Sequence, residues 1–254
     1  MLKDKILNRE AGILLYGMTP PKENTDIAKV SEIASKHMNR IKSLDIDGVV
    51  LYDIQDESAR NEDARPFPFL PTFEPQKYSG DFLGGLDLPK VLFQVVGKHD
   101  EASLRTWMNN NVNNGDLAVF IGNSSSAQAT DITMNKAFSL RSEYADSMLI
   151  GGVAIPERHY AKKDEHLRIS SKIDNGVSFF TTQAVYNVEA SKNMLSEYYY
   201  HSKKNNLPLV PIMMTFSPCG STKTMDFMKW LGIHFPKWLK NDLTNSQDIL
   251  GASI

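Results

Sequence analysis

The chain has 254 residues, 41% hydrophobic and 23% charged, a globular composition with apolar material for one core and a single domain over residues 1–254. Its formal net charge of −2 gives no basic footprint for a nucleic-acid partner. No apolar run approaches the ~20 residues of a membrane span and the first ten residues lack a signal-peptide core, so a cytoplasmic protein is expected.

Gly12 to Met18 reads as a strand that Pro20 and Pro21 forbid from continuing. A helix follows from Thr25, with Ile27, Val30, Ala34, Met38 and Ile41 on its inward face. Gly48 to Tyr52 is the second strand. Residues 55–77 then carry charge, proline, Phe67, Phe69 and Phe73 without a period; this is long for a connection, and reads either as a stiff cover or as a packed surface loop. Lys90 to Val96 is the third strand and Glu101 to Val112 a helix. Leu117 to Ile121, the fourth strand, enters the polar turn Gly122 to Asp131, which is either a plain loop or a nest for phosphate. Met134 to Tyr144 is helical.

Met148 to Ala154 is too short for a helix and too continuously apolar for a one-sided strand, so it predicts a strand buried on both faces. Pro156 stops it, and a loop presents Glu157, Arg158 and His159 together. In the next helix Leu167, Ile169 and Ile173 face inward, Lys162, Lys163 and Glu165 face water, and Gly176 caps the end. Val177 to Gln183 is a strand whose last residue puts an amide where a parallel strand meets its loop, the end at which α/β folds bind ligands. Val188 to Lys203 forms a helix with Leu195, Tyr198 and Tyr199 inward, Leu207 to Met214 a seventh strand, and Met225 to Leu231 a helix capped by Ser221. The single cysteine, Cys219, excludes an intrachain disulfide and reads as a small loop residue; it offers no metal-ligand spacing, so no metal is expected.

Seven strand and helix alternations without antiparallel hairpins predict a parallel sheet, closed in a TIM-type (β/α)8 barrel. Counting alone would make Ile233 to Phe235 the eighth strand, but three residues before Pro236 make a poor central strand.

Ile155 to His159 (IPERH), Lys172 to Gln183 (KIDNGVSFFTTQ) and Val188 resemble the methylenetetrahydrofolate reductase family, as do Thr19 to Lys22 (TPPK) and Met228 to Leu239 (MKWLGIHFPKWL). The resemblance implies an α/β barrel in which Ile233 to Phe235 belongs to an extension before the seventh helix, with the last strand and helix unit falling outside these 254 residues. It implies a flavoprotein oxidoreductase: FAD is reduced by NAD(P)H and passes hydride to 5,10-methylenetetrahydrofolate, giving 5-methyltetrahydrofolate. On this reading Gln183 holds the pterin of the folate substrate. Glu157, His159, Lys172 and Ser125 contact the flavin, with Lys172 meeting its diphosphate. A homo-oligomer is compatible with the family.

Three matched positions depart from the family pattern. Its acidic residue before the twin prolines is Gly17 here, its third-strand histidine is Phe93, and its Arg-Gly-Asp is replaced by Asn123, Ser124 and Ser125. The acid has no counterpart in these positions, which leaves the catalytic residue unassigned among Asp53, Asp56, Glu57 and Glu157. Two further readings follow: a flavin-independent tetrahydrofolate-binding methyltransferase or demethylase on the same barrel, and a non-catalytic family member.

Overall fold

The computed structural model describes residues 1–60, 62–124 and 132–254. In chain order its elements are α1 (Leu2–Leu7), β1 (Leu15–Met18), α2 (Ile27–Ile41), β2 (Gly48–Leu51), α3 (Pro75–Phe82), β3 (Lys90–Val95), α4 (Glu101–Asn114), β4 (Leu117–Ile121), α5 (Met134–Tyr144), β5 (Ile150–Ala154), α6 (Pro156–Lys162), α7 (Glu165–Asp174), β6 (Val177–Ala184), α8 (Val188–Asn205), β7 (Ile212–Thr215), α9 (Thr222–Trp230), α10 (Lys237–Asn245) and α11 (Ile249–Ala252). The strands form one seven-stranded sheet in the order β1 to β7. Pairing is parallel from β1 through β5 and between β6 and β7. This is the topology of a TIM-type (β/α)8 barrel carried through seven of its eight repeats.

The chain divides into two compact units: residues 1–56, 69–152 and 175–179, and residues 57–68, 153–174 and 180–254. In the first, β2, β3 and β4 are buried along almost their whole length, as strands of a parallel sheet covered on both faces must be. Capping fixes the helices between them. Asp26 accepts from the N–H groups of Ala28 and Lys29 at the start of α2, and Asp100 and Ser103 form a reciprocal capping box on α4. In the second unit α6, α7 and α8 pack on one another. Tyr186, Cys219, Met225, Met228, Ile233, Phe235 and Leu243 form a core cluster there, in which the Tyr186 and Phe235 rings stack at 4.1 Å. Ile233 and Phe235 are therefore core residues of an irregular segment, not a strand, and Cys219 is a fully buried free thiol. Among the described residues no helix is long and apolar enough to cross a membrane.

Several local expectations are corrected. Leu2 and Ile6 bury one face of α1, whose six residues are too few to show a period. Pro75 opens α3 inside the stretch read as irregular, with the Glu74 side chain accepting from Gln76 and Lys77. Ile27, Leu167, Leu195 and Tyr199 are exposed, whereas Val30, Ala34, Ile169, Met194 and Tyr198 are buried. Val30, Ala34 and Ile41 on α2, Ile169 on α7 and Tyr198 on α8 lie inward as expected; on α8 the exposed Leu195 and Tyr199 each follow a buried residue, because neighbours on an α-helix differ by only ~100°.

The largest correction concerns residues 156–165. Pro156 does more than stop β5: it occupies the first turn of α6, where its missing N–H costs nothing, so Glu157, Arg158 and His159 lie on a helix and not in a loop. Glu165, expected to face water, is fully buried. Its carboxylate accepts from the Ile155 N–H at 2.9 Å and from Arg158 Nη1 at 3.0 Å, with Arg168 Nε at 3.9 Å. Removing that carboxylate leaves a buried N–H and a guanidinium without their acceptor, so Glu165→Ala is expected to lower unfolding free energy by about 3 to 5 kcal/mol, read from urea denaturation. A loss under 1 kcal/mol would show that the carboxylate is not holding the end of β5.

Candidate functional site

In the first unit the ends of β2, β3 and β4 surround a cavity of about 230 Å³. Ile54, Gln55, Val95, Lys98, Asn123 and Ser124 lie on its wall, together with Phe69 and Pro71 from the proline-rich stretch. Asp53 is buried beneath it and accepts from the Val95 N–H at 2.9 Å and from the Lys98 ammonium at 2.5 Å; Lys98 also donates to the Ile54 carbonyl at 2.8 Å. Burial raises the Asp53 carboxyl above its ordinary range, against the pull of Lys98. Gln55 ties two strand ends together, donating to the Gly122 carbonyl at 3.1 Å and accepting from the Ser124 N–H at 2.8 Å. A Cβ on Gly97 would sit 1.7 Å from Asn123 Oδ1, so only glycine lets the Asn123 amide occupy that place.

In the same unit the two positions Gly17 and Phe93 both touch Tyr52. A Cβ on Gly17 would lie 2.8 Å from Tyr52 Cε2 and 2.9 Å from its hydroxyl, and the Tyr52 ring meets Phe93 edge-on at 4.8 Å. The phenol of Tyr52 thus fills the space over position 17, and the apolar Phe93 supports it.

In the second unit Gln183 stands near the end of β6, where the β6 to β7 register slips between Thr181 and Ala184. Such irregularities re-aim side chains. Gln183 is half-buried, and its amide nitrogen donates to the Leu231 carbonyl at 2.9 Å. Glu157, also half-buried, has one oxygen without a hydrogen-bond partner among the described residues, and burial raises its carboxyl despite backbone N–H groups from itself and His234. Lys172 is tucked inward with its ammonium on the Val153 carbonyl at 2.6 Å, and burial pulls it from 10.5 down to about 8. His159 is 1% exposed and its ring lies 5.6 Å from that of His166 on α7; burial lowers its basicity. Residues two apart on a helix point about 200° from one another, so Glu157 and His159 diverge where a loop could have brought them together. Ser125 and the rest of the proposed phosphate nest, residues 125–131, lie outside the described residues.

The proline-rich stretch is shared between the units. Residues 63–67 pack on α9: Arg65 lies 4.8 Å from the Phe227 ring, Phe67 meets Phe227 edge-on, and Trp230 Nε1 donates to the Asp63 carbonyl at 2.9 Å. Sequence reading missed Tyr52, Gln55 and Lys98. The last was discoverable, since a charged residue three past the end of an apolar parallel strand is where barrel chemistry is sited.

The arrangement is that of a barrel-type α/β protein whose polar groups gather at the C-terminal ends of parallel strands. A family model described as methylenetetrahydrofolate reductase matches residues 122–249. A solved structure described as an uncharacterized protein from Clostridium thermocellum that binds two copies of 5-methyl-5,6,7,8-tetrahydrofolic acid is 49% identical, covering 99% of this chain and 82% of that one with a TM-score of 0.85. The chain belongs to the methylenetetrahydrofolate reductase family. A 2,3-dimethylmalate lyase, 9% identical over 84% of this chain and 76% of its own, shares the fold alone at a TM-score of 0.50. No curated protein matches.

Two expectations test this geometry. Gly17→Ala should destabilise by about 1 to 3 kcal/mol through overpacking on Tyr52, and the loss should largely vanish in a Tyr52→Ala background; equal costs in both backgrounds would uncouple the two positions. For Lys172, burial disfavours the charged form in the fold, so the folded chain sheds its proton near pH 8 while the unfolded chain keeps it to about 10.5. Stability should therefore rise between pH 8 and pH 10, by on the order of 2 kcal/mol, and that rise should be absent in Lys172→Met when both are unfolded in urea.

Proposed function

We propose that this chain is a flavin-independent binder of reduced folates, a tetrahydrofolate-dependent methyltransferase or demethylase, or a carrier of the methylated cofactor. The observation that carries the reading is the 49% identity, across 99% of the chain, with a protein described as binding 5-methyl-5,6,7,8-tetrahydrofolic acid. Gln183 reads the pterin edge with its amide, aimed by the irregular register at the end of β6. Glu157, half-buried with its carboxyl raised above the usual range by burial, is the polar group placed to meet the ligand from α6.

The residues present do not fit a flavin held in the way the resemblance implies. The cation assigned to the diphosphate, Lys172, is half-buried and committed to the Val153 carbonyl, and the space over Gly17 is covered by the Tyr52 ring. A reductase reading is retained on one observation, the match of residues 122–249 to the reductase model.

Calorimetric titration of the chain with 5-methyltetrahydrofolate separates the readings. Saturable binding by colourless protein that takes up no added FAD supports the folate binder; yellow protein that is bleached by NAD(P)H supports the reductase. Gln183→Ala should weaken folate affinity by about 1 to 3 kcal/mol, the cost of an amide left without its partner, and an unchanged affinity would remove Gln183 from the site.

A further inference from the structure

The outer helices of the second unit carry a cluster that neither folate nor flavin chemistry uses. His159 from α6, His166 from α7 and Glu197 from α8 each offer a ligand atom, and these three atoms all lie within 4.8 Å of one another. His201 follows Glu197 by four residues, on the same face of α8, and its ring lies 5.1 Å from that of His166. The three imidazoles therefore form a continuous chain of edge contacts across α6, α7 and α8. The Nδ1 atoms of both His159 and His166 are buried without a hydrogen-bond partner among the described residues, and the His159 side chain is 1% exposed. Buried polar atoms in native proteins are ordinarily satisfied, so two orphaned nitrogens in one cluster point to a ligand that accepts lone pairs.

We infer that His159, His166 and Glu197 form a site for a divalent transition metal of the zinc class that ties α6, α7 and α8 together, with His201 placed to complete the coordination. Two imidazoles and one carboxylate are a zinc donor set, whereas calcium and magnesium call for a shell of oxygen ligands of which this cluster offers one carboxylate. Ligands at roughly 2.0 to 2.2 Å from a shared ion stand closer to one another than these atoms do, so binding draws the side chains inward. Glu197 can make that movement: its side chain is 54% exposed, while that of His166 is 12% exposed and held between its neighbours. The site involves none of the strand-end residues assigned to folate.

The test uses the whole chain, stripped of metal with a chelator, and Co2+ and Zn2+ as probes. Co2+ should bring up visible d–d absorption that saturates at one equivalent per chain, and Zn2+ should displace it. His166→Ala and Glu197→Gln should each weaken Zn2+ binding at least about 10-fold, the lower bound found even for groups one step removed from a metal. Zn2+ should raise the melting temperature of the parent and not of the variants. If His166→Ala does not fold, the half-exposed Glu197→Gln carries the comparison. Absence of d–d absorption, or equal Zn2+ affinity in the parent and a folded variant, overturns the site. Folate titration of Glu197→Gln should match the parent, which separates failure here from failure of the folate reading.

Discussion

The buried carboxylate of Glu165 is the fixed point from which the second unit is laid out. A charge removed from water is tolerable only when its oxygens are satisfied, and here the Ile155 N–H and the Arg158 guanidinium do so. Because one of these partners is the backbone at the end of β5 and the other is on α6, the first turn of α6 has one placement relative to the strand. Everything on that helix inherits its direction from this contact.

That direction divides the chemistry of the unit. Glu157 turns toward the backbone of His234, and His159 turns toward α7 and α8, since a helix sends residues two apart to opposite sides. The segment most specific to the family thus serves two places: a carboxyl near the strand ends and an imidazole in the helical layer. Lys172 belongs to neither. Its ammonium, drawn inward to the Val153 carbonyl, balances part of the buried charge of Glu165.

In the first unit Gly17, Tyr52 and Phe93 pack as one group. The Tyr52 ring fills the space over Gly17 and meets Phe93 edge-on. The cavity at the ends of β2, β3 and β4 is walled by the amides of Gln55 and Asn123, the ring of Phe69, and Lys98 paired with the buried Asp53.

The order and type of the elements were legible in the chain because parallel strands buried on both faces leave continuous apolar runs, and helices between them leave a period of three to four. Leu117 to Ile121 and Met134 to Tyr144 are the clearest cases. Gln183 at a strand end was legible for the same reason. What the sequence could not decide was where charged residues went: Glu165 in a polar run has the pattern of a solvated residue, and only its partners from β5 and α6 make burial affordable. Likewise, the meeting of His159, His166 and Glu197 spans 39 positions and three helices, and no local spacing encodes it. Short-range periodicity is written in neighbouring residues, but the satisfaction of a buried charge or lone pair depends on groups that only folding brings within reach.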